Sequence, residues 1–301
     1  MSDALTTAEL YAAAARDTVR ARMAATSLDT EQHVAHGFAW VETAVEALRA
    51  LHAWGARQSG EAEALIVQIG TGETLAQLAG GLPMGQNEFI RPADFGLESH
   101  VPALLAAAQG NTPENRAALV ALLRDGAAIS DALDDDLLDQ VRDQYRRFTD
   151  ARILPHAHGW HLANALIPDD VIAEMAALGT FGVCIPEEFG GLGLGKLVMC
   201  IVTEELSRGW IGTGSLGTRS EIAGELIMLG GTDAQRAHWL PRIASGEILP
   251  TAVFTEPDTG SDMASLQTRA VRTEKGWEIS GAKNWITHAA RTDLMTLMAR
   301  T

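Results

Sequence analysis

At Pro250 the hydrophobic period of this chain changes from that of helices to that of strands, so its fold must contain both elements in that order. Up to that point apolar residues recur at spacings of three and four. Between Thr7 and Gly80 one such stripe is Trp40, Ala44, Ala47, Leu51 and Trp54, and Phe38, Val41, Val45 and Leu48 widen it into a face broad enough to be buried on two sides. Gly80, Gly81, Pro83, Gly85 and Pro92 then break the period and predict a linker at about 81–100. Helices resume at Thr112-Pro113, an N-cap followed by a first-turn proline, and over 134–150, where Asp134, Asp135 and Asp136 meet the positive end of the helix dipole. Pro168-Asp-Asp170 opens another helix, and 196–208 and 214–230 predict two more. The glycine-rich stretch 179–195 either brings backbone close to a ligand or joins helices. After Pro250, residues 269–273, 277–280 and 283–287 read as strands, the first two joined by Glu274-Lys275-Gly276. The order is therefore α+β: a helical extension over 1–110, a helical domain over 111–249 and the beginning of a β domain over 250–301.

The formal charge of -16 disfavours nucleic acid and anionic membranes as partners, because both require basic patches. An anionic ligand must be met by local donors. Cys184 and Cys200 lack the spacing of a zinc site or a disulfide framework, which fits a reducing cytoplasm. No basic-then-apolar leader opens the sequence, and no run of about 18 apolar residues occurs, so neither export nor membrane insertion is expected. His156, His158 and His161 cluster around Gly159, yet no carboxylate or cysteine completes a metal site at compatible spacing.

Two segments carry the chemistry. In Thr251-Ala-Val-Phe-Thr-Glu-Pro-Asp-Thr-Gly-Ser-Asp262 an apolar strand meets Glu256-Pro257 and then Thr259-Gly260-Ser261, where glycine lets backbone amides converge on an anion such as a pyrophosphate. In Gly281-Ala-Lys-Asn-Trp-Ile-Thr-His288 a strand would set Lys283, Trp285 and Thr287 on one face, and Asn284, Ile286 and His288 on the other. An indole and a hydroxyl on one face suit a planar ring such as an isoalloxazine.

The pair T-E-P-x-x-G-S-D and G-x-K-x-W-I-T resembles the acyl-CoA dehydrogenase family, FAD enzymes that desaturate acyl-CoA thioesters. Upstream, Ile185-Pro-Glu-Glu-Phe-Gly-Gly-Leu-Gly193, Glu204-Glu-Leu-Ser-Arg208 and Gly230-Gly-Thr-Asp-Ala-Gln-Arg-Ala-His-Trp-Leu-Pro241 extend the resemblance, which covers about 134–301. His36 to Leu48 and Gly80 to Gly96 lie outside that common core and resemble the extra helical region of the (2S)-methylsuccinyl-CoA dehydrogenase subgroup. The resemblance implies an acyl-CoA substrate, FAD as cofactor, electron-transfer flavoprotein as acceptor and a homodimer or homotetramer. It assigns Phe254 and Thr255 to the pyrimidine end of the flavin, and Gly260 and Ser261 to the loop shared by the pyrophosphate and the CoA arm. Trp285 and Ile286 go to the ring, and Thr287 to its N5. Arg219 is a candidate for a substrate carboxylate, with Thr218 nearby; an ion pair with Glu221 or Glu225 is the other reading. The family's catalytic base is a glutamate, in most members located in a C-terminal four-helix domain, so no catalytic residue is assigned within this sequence. The apolar strand at 294–301 has nothing after it, which predicts an open edge and a piece of a longer polypeptide, inactive alone, or a chain completed by a partner. An acyl-CoA oxidase and a catalytically silent scaffold remain as alternatives.

Overall fold

The computed structural model describes residues 3–133 and 135–301, and divides into two compact units, Met1–Asp131 and Ala132–Thr301. The expectation for Asp134 lies outside the described residues.

The first unit is built on three long helices, α1 (Asp3–Ala25), α2 (Gln32–Gly55) and α3 (Glu61–Gly80). A two-stranded hairpin follows, β1 (Leu82–Pro83) with β2 (Phe89–Ile90), then α4 (Pro92–Phe95), α5 (Val101–Ala107) and α6 (Pro113–Arg124). Its core gathers Tyr11, Val41, Val45, Leu48, Leu75, Leu78 and Leu104. The buried stripe of α2 is Val34, Gly37, Val41, Val45 and Leu48, so the stripe expected from Trp40 to Trp54 is displaced around the helix, with Trp40 and Ala47 exposed. Both stripes obey the same spacing, and the packing partner selects between them. That partner is partly the segment 81–100, which is a folded part of this unit rather than a linker: Leu82, Met84, Ile90 and Phe95 are all buried in its core. A Cβ at Gly37 would stand 2.4 Å from the Ile90 side chain, so only glycine lets α2 approach β2 this closely. The predicted cap holds, with Thr112 accepting from the Asn115 N–H at 3.2 Å. α6 packs on α3, which places it in the first unit.

The second unit begins with α7 (Asp136–Phe148), capped by the Asp135 carboxylate, which accepts from the Leu137 and Leu138 N–H groups. A π-helical turn (Thr149–Ile153) leads into α8 (Leu154–Leu162), and α9 (Asp169–Ala177), α10 (Gly195–Gly209), α11 (Ile211–Gly230) and α12 (Asp233–Ala244) complete the helical layer. α10 and α11 touch so closely that a Cβ on Gly214 would come within 1.9 Å of Ser207 Oγ. Glu205, 3 % exposed in its side chain, is held there by Arg146 at 2.7 Å and Arg208 at 3.0 Å.

Four strands follow: β3 (Pro250–Val253), β4 (Arg269–Thr273), β5 (Gly276–Ser280) and β6 (Leu294–Leu297). β4 and β5 form the predicted antiparallel hairpin, with Gly276 at φ 132° closing its turn. Two expectations are corrected. β6 pairs in parallel with β3, with Thr251 opposite Met295, so the last strand does have a partner. Residues 283–287 are not a strand: Trp285 takes φ 59°, which ends any pleat, and the segment's backbone bonds to Thr255 instead of to a ladder. The described strands make two-stranded pieces and no closed barrel. Among the described residues no helix is long and apolar enough to cross a membrane.

Gly37→Ala should cost about 1–3 kcal/mol by overpacking against Ile90. In an Ile90→Ala background the same change should cost less, because the clashing atoms are gone. Denaturant unfolding of the four proteins checks this, and strict additivity would show that the contact is not what constrains Gly37.

Candidate functional site

β3 carries the chain into Phe254 and Thr255, both half-buried, and then Glu256, which is 6 % exposed. The Glu256 carboxylate is the hub of the region. Its Oε2 accepts from the Gln267 N–H at 2.5 Å, and its Oε1 accepts from the Thr268 N–H at 2.8 Å and from Lys283 Nζ at 2.9 Å. Lys283 Nζ also donates to the Phe254 carbonyl at 2.7 Å. Hydrogen bonding from Thr268, then from the Gln267 N–H, with Lys283 contributing, stabilises the ionised form against the cost of burial and holds the Glu256 acid at about 2. Two further bonds tie the same segments: the Asn284 N–H donates to the Thr255 carbonyl at 3.0 Å, and Thr251 Oγ1 donates to the Thr287 carbonyl at 2.8 Å. These clamps, and not a strand, tie the Phe254–Thr255 stretch to the Trp285–Thr287 stretch.

Beyond Glu256 the chain turns tightly. The Glu256 N–H donates to the Thr259 carbonyl at 2.8 Å, with Pro257 and Asp258 at the tip. Gly260 and Ser261 follow, both exposed, and among the described residues neither N–H has an internal acceptor. A Cβ at Gly260 would meet nothing within 4 Å, and Thr259 Oγ1 is enclosed without a hydrogen-bond partner. Gly260 does not use a left-handed backbone, so its open surroundings distinguish it, not its φ. This exposed turn leaves backbone donors available to an anion.

Trp285 is 90 % exposed on its left-handed backbone, an unusual state for an indole, and Thr287 is half-buried. Thr287 and His288 line an apolar cavity of about 210 Å³ with Leu166, Ile172, Trp210 and Leu216. His288 escaped the sequence reading because a strand would have turned it away from Thr287. Its own φ of 42° is what brings both side chains to one cavity. The Glu256–Lys283 pair also went unread, although one charged residue inside each of the two motifs was the available signal.

Arg219 sits on α11, which packs on β3. Its expected ion-pair partners are taken: Glu221 and Glu225 bind Lys196 at 2.7 and 3.4 Å. Among the described residues no carboxylate pairs with Arg219, and its Nε is enclosed without a hydrogen bond. His156, His158 and His161 lie on α8, with His156 stacked 5.4 Å from Trp160, and no group of three or more metal-ligating side chains forms among the described residues. The Cys184 thiol is pushed up to about 11 by burial, so it is not poised as a nucleophile.

Residues 135–247 match the acyl-CoA dehydrogenase N-terminal domain, and residues 251–301 match the middle domain. The chain is 54 % identical over 319 aligned residues to the (2S)-methylsuccinyl-CoA dehydrogenase of Cereibacter sphaeroides, an alignment that spans all of this chain and 58 % of that protein. It is 34 % identical to a mitochondrial isovaleryl-CoA dehydrogenase of Solanum tuberosum over 56 % of this chain and 41 % of that protein. Among solved structures, a glutaryl-CoA dehydrogenase from Mycobacterium smegmatis in complex with FADH2 superposes with a TM-score of 0.52 at 30 % identity, over 55 % of this chain and 42 % of that one. The two matched domains, which follow one another along the chain and together cover more than half of it, make this chain a member of the acyl-CoA dehydrogenase family.

Proposed function

We propose that the protein carrying this chain is an FAD-dependent acyl-CoA dehydrogenase that converts (2S)-methylsuccinyl-CoA to mesaconyl-CoA, passes electrons to electron-transfer flavoprotein and works as a homodimer or homotetramer. The observation that carries this reading is the clamp of Glu256 on Lys283, which fixes Phe254 and Thr255 beside the Trp285–Thr287 segment. The residues fit the cofactor: Gly260 and Ser261 present free N–H groups for a pyrophosphate, Thr259 Oγ1 lacks a partner, and the exposed Trp285 indole awaits an aromatic cover. Bound FAD would supply the two-electron acceptor for desaturation. Phe254, Thr255 and Ile286 would border its ring, Thr287 would donate a hydrogen bond toward N5, and Ser261 would serve both cofactor and CoA. The substrate class follows the name of the Cereibacter relative. A distal carboxylate needs a cation to offset its burial, and Arg219 is the unpaired guanidinium available for it. The base that removes the α-proton is assigned to no residue of this chain.

Thr287→Val keeps volume and β-branching while removing one donor. It should retain the yellow flavin and slow its reduction by methylsuccinyl-CoA by up to about 100- to 1000-fold. Stopped-flow bleaching measures this, and an unchanged rate would remove Thr287 from the ring.

Arg219→Met should lower kcat/KM for methylsuccinyl-CoA by about 10- to 100-fold more than for butyryl-CoA, the range for losing a charged hydrogen bond. Equal losses on both substrates at unchanged Tm would leave the carboxylate to other residues.

The third expectation concerns acid. Glu256 is depressed from an ordinary 4.5 to about 2, so its contribution is complete above 4.5 and is lost as pH falls toward 2. Flavin retention followed by gel filtration should fall across that window, and Glu256→Gln should weaken retention at pH 7 while flattening the acid dependence. A variant with the wild-type acid profile would show that the clamp does not hold the cofactor loop.

A further inference from the structure

Two enclosed nitrogens on neighbouring elements have no protein partner. One is Arg219 Nε on α11, the other His288 Nδ1 at the margin of the cavity beside Thr287. The opposite ring nitrogen, His288 Nε2, lies 3.1 Å from the Pro250 carbonyl. A carbonyl only accepts, so Nε2 carries the proton of the neutral ring, and Nδ1 is left as an enclosed bare lone pair with no donor to meet it. His288 holds this pose on a left-handed backbone, φ 42°, a conformation that other elements must enforce and that clusters at ligand sites. On α11, Gly212, Ser215, Leu216 and Arg219 fall on one stripe at spacings of three and four; the first three line the same cavity, and Arg219 stands one turn further on.

We propose that Arg219 and His288 form a carboxylate subsite at this cavity, and that filling it draws one proton from solvent onto His288 Nδ1. This rests on the dicarboxylyl-CoA reading above. An entering carboxylate accepts from Arg219 Nε–H at once, but His288 can donate to its second oxygen only as the imidazolium. No bond to carbon forms or breaks; the proton is the only particle exchanged. The groups facing His288 set the balance. Burial, then Arg219 from α11 and Arg291 from the following turn, hold its pKa down, while the Pro250 carbonyl of β3 and Asp293 raise it. Arg291 is already tied to Asp169 and to the Ile167 carbonyl, which leaves Arg219 as the cation free to pair with a ligand. A carboxylate placed between Arg219 and His288 reverses the sign of the local field, so the imidazolium becomes the stable form when the subsite is filled. A methyl-terminated acyl group brings no such charge and no proton.

Calorimetric titration of the oxidised holoprotein with mesaconyl-CoA and with crotonyl-CoA tests this without turnover. Run in buffers of different ionisation enthalpy near neutral pH, it should give about one proton taken up per site for mesaconyl-CoA and none for crotonyl-CoA, with mesaconyl-CoA affinity weakening about tenfold for each unit of rising pH. In His288→Asn the side chain tolerates a left-handed backbone and stays polar but cannot protonate, so the uptake and the pH slope should both vanish. Equal uptake with crotonyl-CoA in the wild type overturns the subsite, and so does uptake that survives His288→Asn while mesaconyl-CoA is still preferred. If the wild type binds mesaconyl-CoA no better than crotonyl-CoA at any pH, the dicarboxylic reading itself falls and the subsite falls with it.

Discussion

The Glu256–Lys283 pair is the interaction on which the rest of this site depends. Both side chains are nearly enclosed, at 5 % and 9 % exposure, so neither charge is left to water. Burying a carboxylate and an ammonium is unfavourable unless every strong acceptor and donor is used, and here the carboxylate collects two backbone N–H groups as well as the ammonium. The geometry that satisfies it draws three separate stretches of chain to one point. Those stretches are Phe254–Glu256, Gln267–Thr268 and Lys283–Asn284. Loss of either partner would leave the other buried and unpaired, so the three segments hold together or separate together. In this chain the pair does the organising that a continuous sheet would otherwise do.

That dependence explains why the Trp285–His288 segment can afford an irregular backbone. A strand would have presented Trp285 and Thr287 to one face and hidden His288 on the other. Instead Trp285 and His288 both take positive φ, at 59° and 42°. Such conformations persist only where surrounding contacts over-determine them. The contacts here are Lys283 to Phe254, Asn284 to Thr255, Thr251 to Thr287 and His288 to Pro250. Each fixes the segment within a residue or two of a strained position, so Trp285 stays exposed while Thr287 and His288 turn inward.

The helical layer and the β4–β5 hairpin were legible because their signals are local. Thr112 and Asp135 cap helices through side-chain oxygens that a sequence displays directly, and Gly276 supplies the positive φ that its hairpin turn requires. What was not legible depended on contacts remote in sequence. The choice between two stripes on α2 was made by Ile90 lodging against Gly37, more than fifty residues away. The partner of β6 is β3, across a separation that no hairpin signal spans. The two motifs named the segments of the candidate site, yet the alternation rule misassigned the faces of 283–287, because a buried ion pair and not a ladder sets that backbone.

Electrostatics ties these observations to ligand choice. A chain with a net charge of -16 repels an anionic thioester at long range, so whatever attraction it offers must come from groups at close quarters. Most cations near the site are spent on structure: Lys283 on Glu256, Lys196 on Glu221 and Glu225, and Arg291 on Asp169. Backbone N–H groups at Gly260 and Ser261 and the guanidinium of Arg219 remain without a competing internal partner among the described residues, which leaves them available to an anion. The two sets do different work. Neutral amides can hold a pyrophosphate whatever acyl group follows it, whereas a half-buried guanidinium with an enclosed, unpartnered Nε favours a ligand that brings a negative charge to meet it. On the proposed dicarboxylic reading, discrimination between a dicarboxylic and a simple acyl thioester would therefore come as much from leaving the Arg219 Nε without a partner as from the contact it makes.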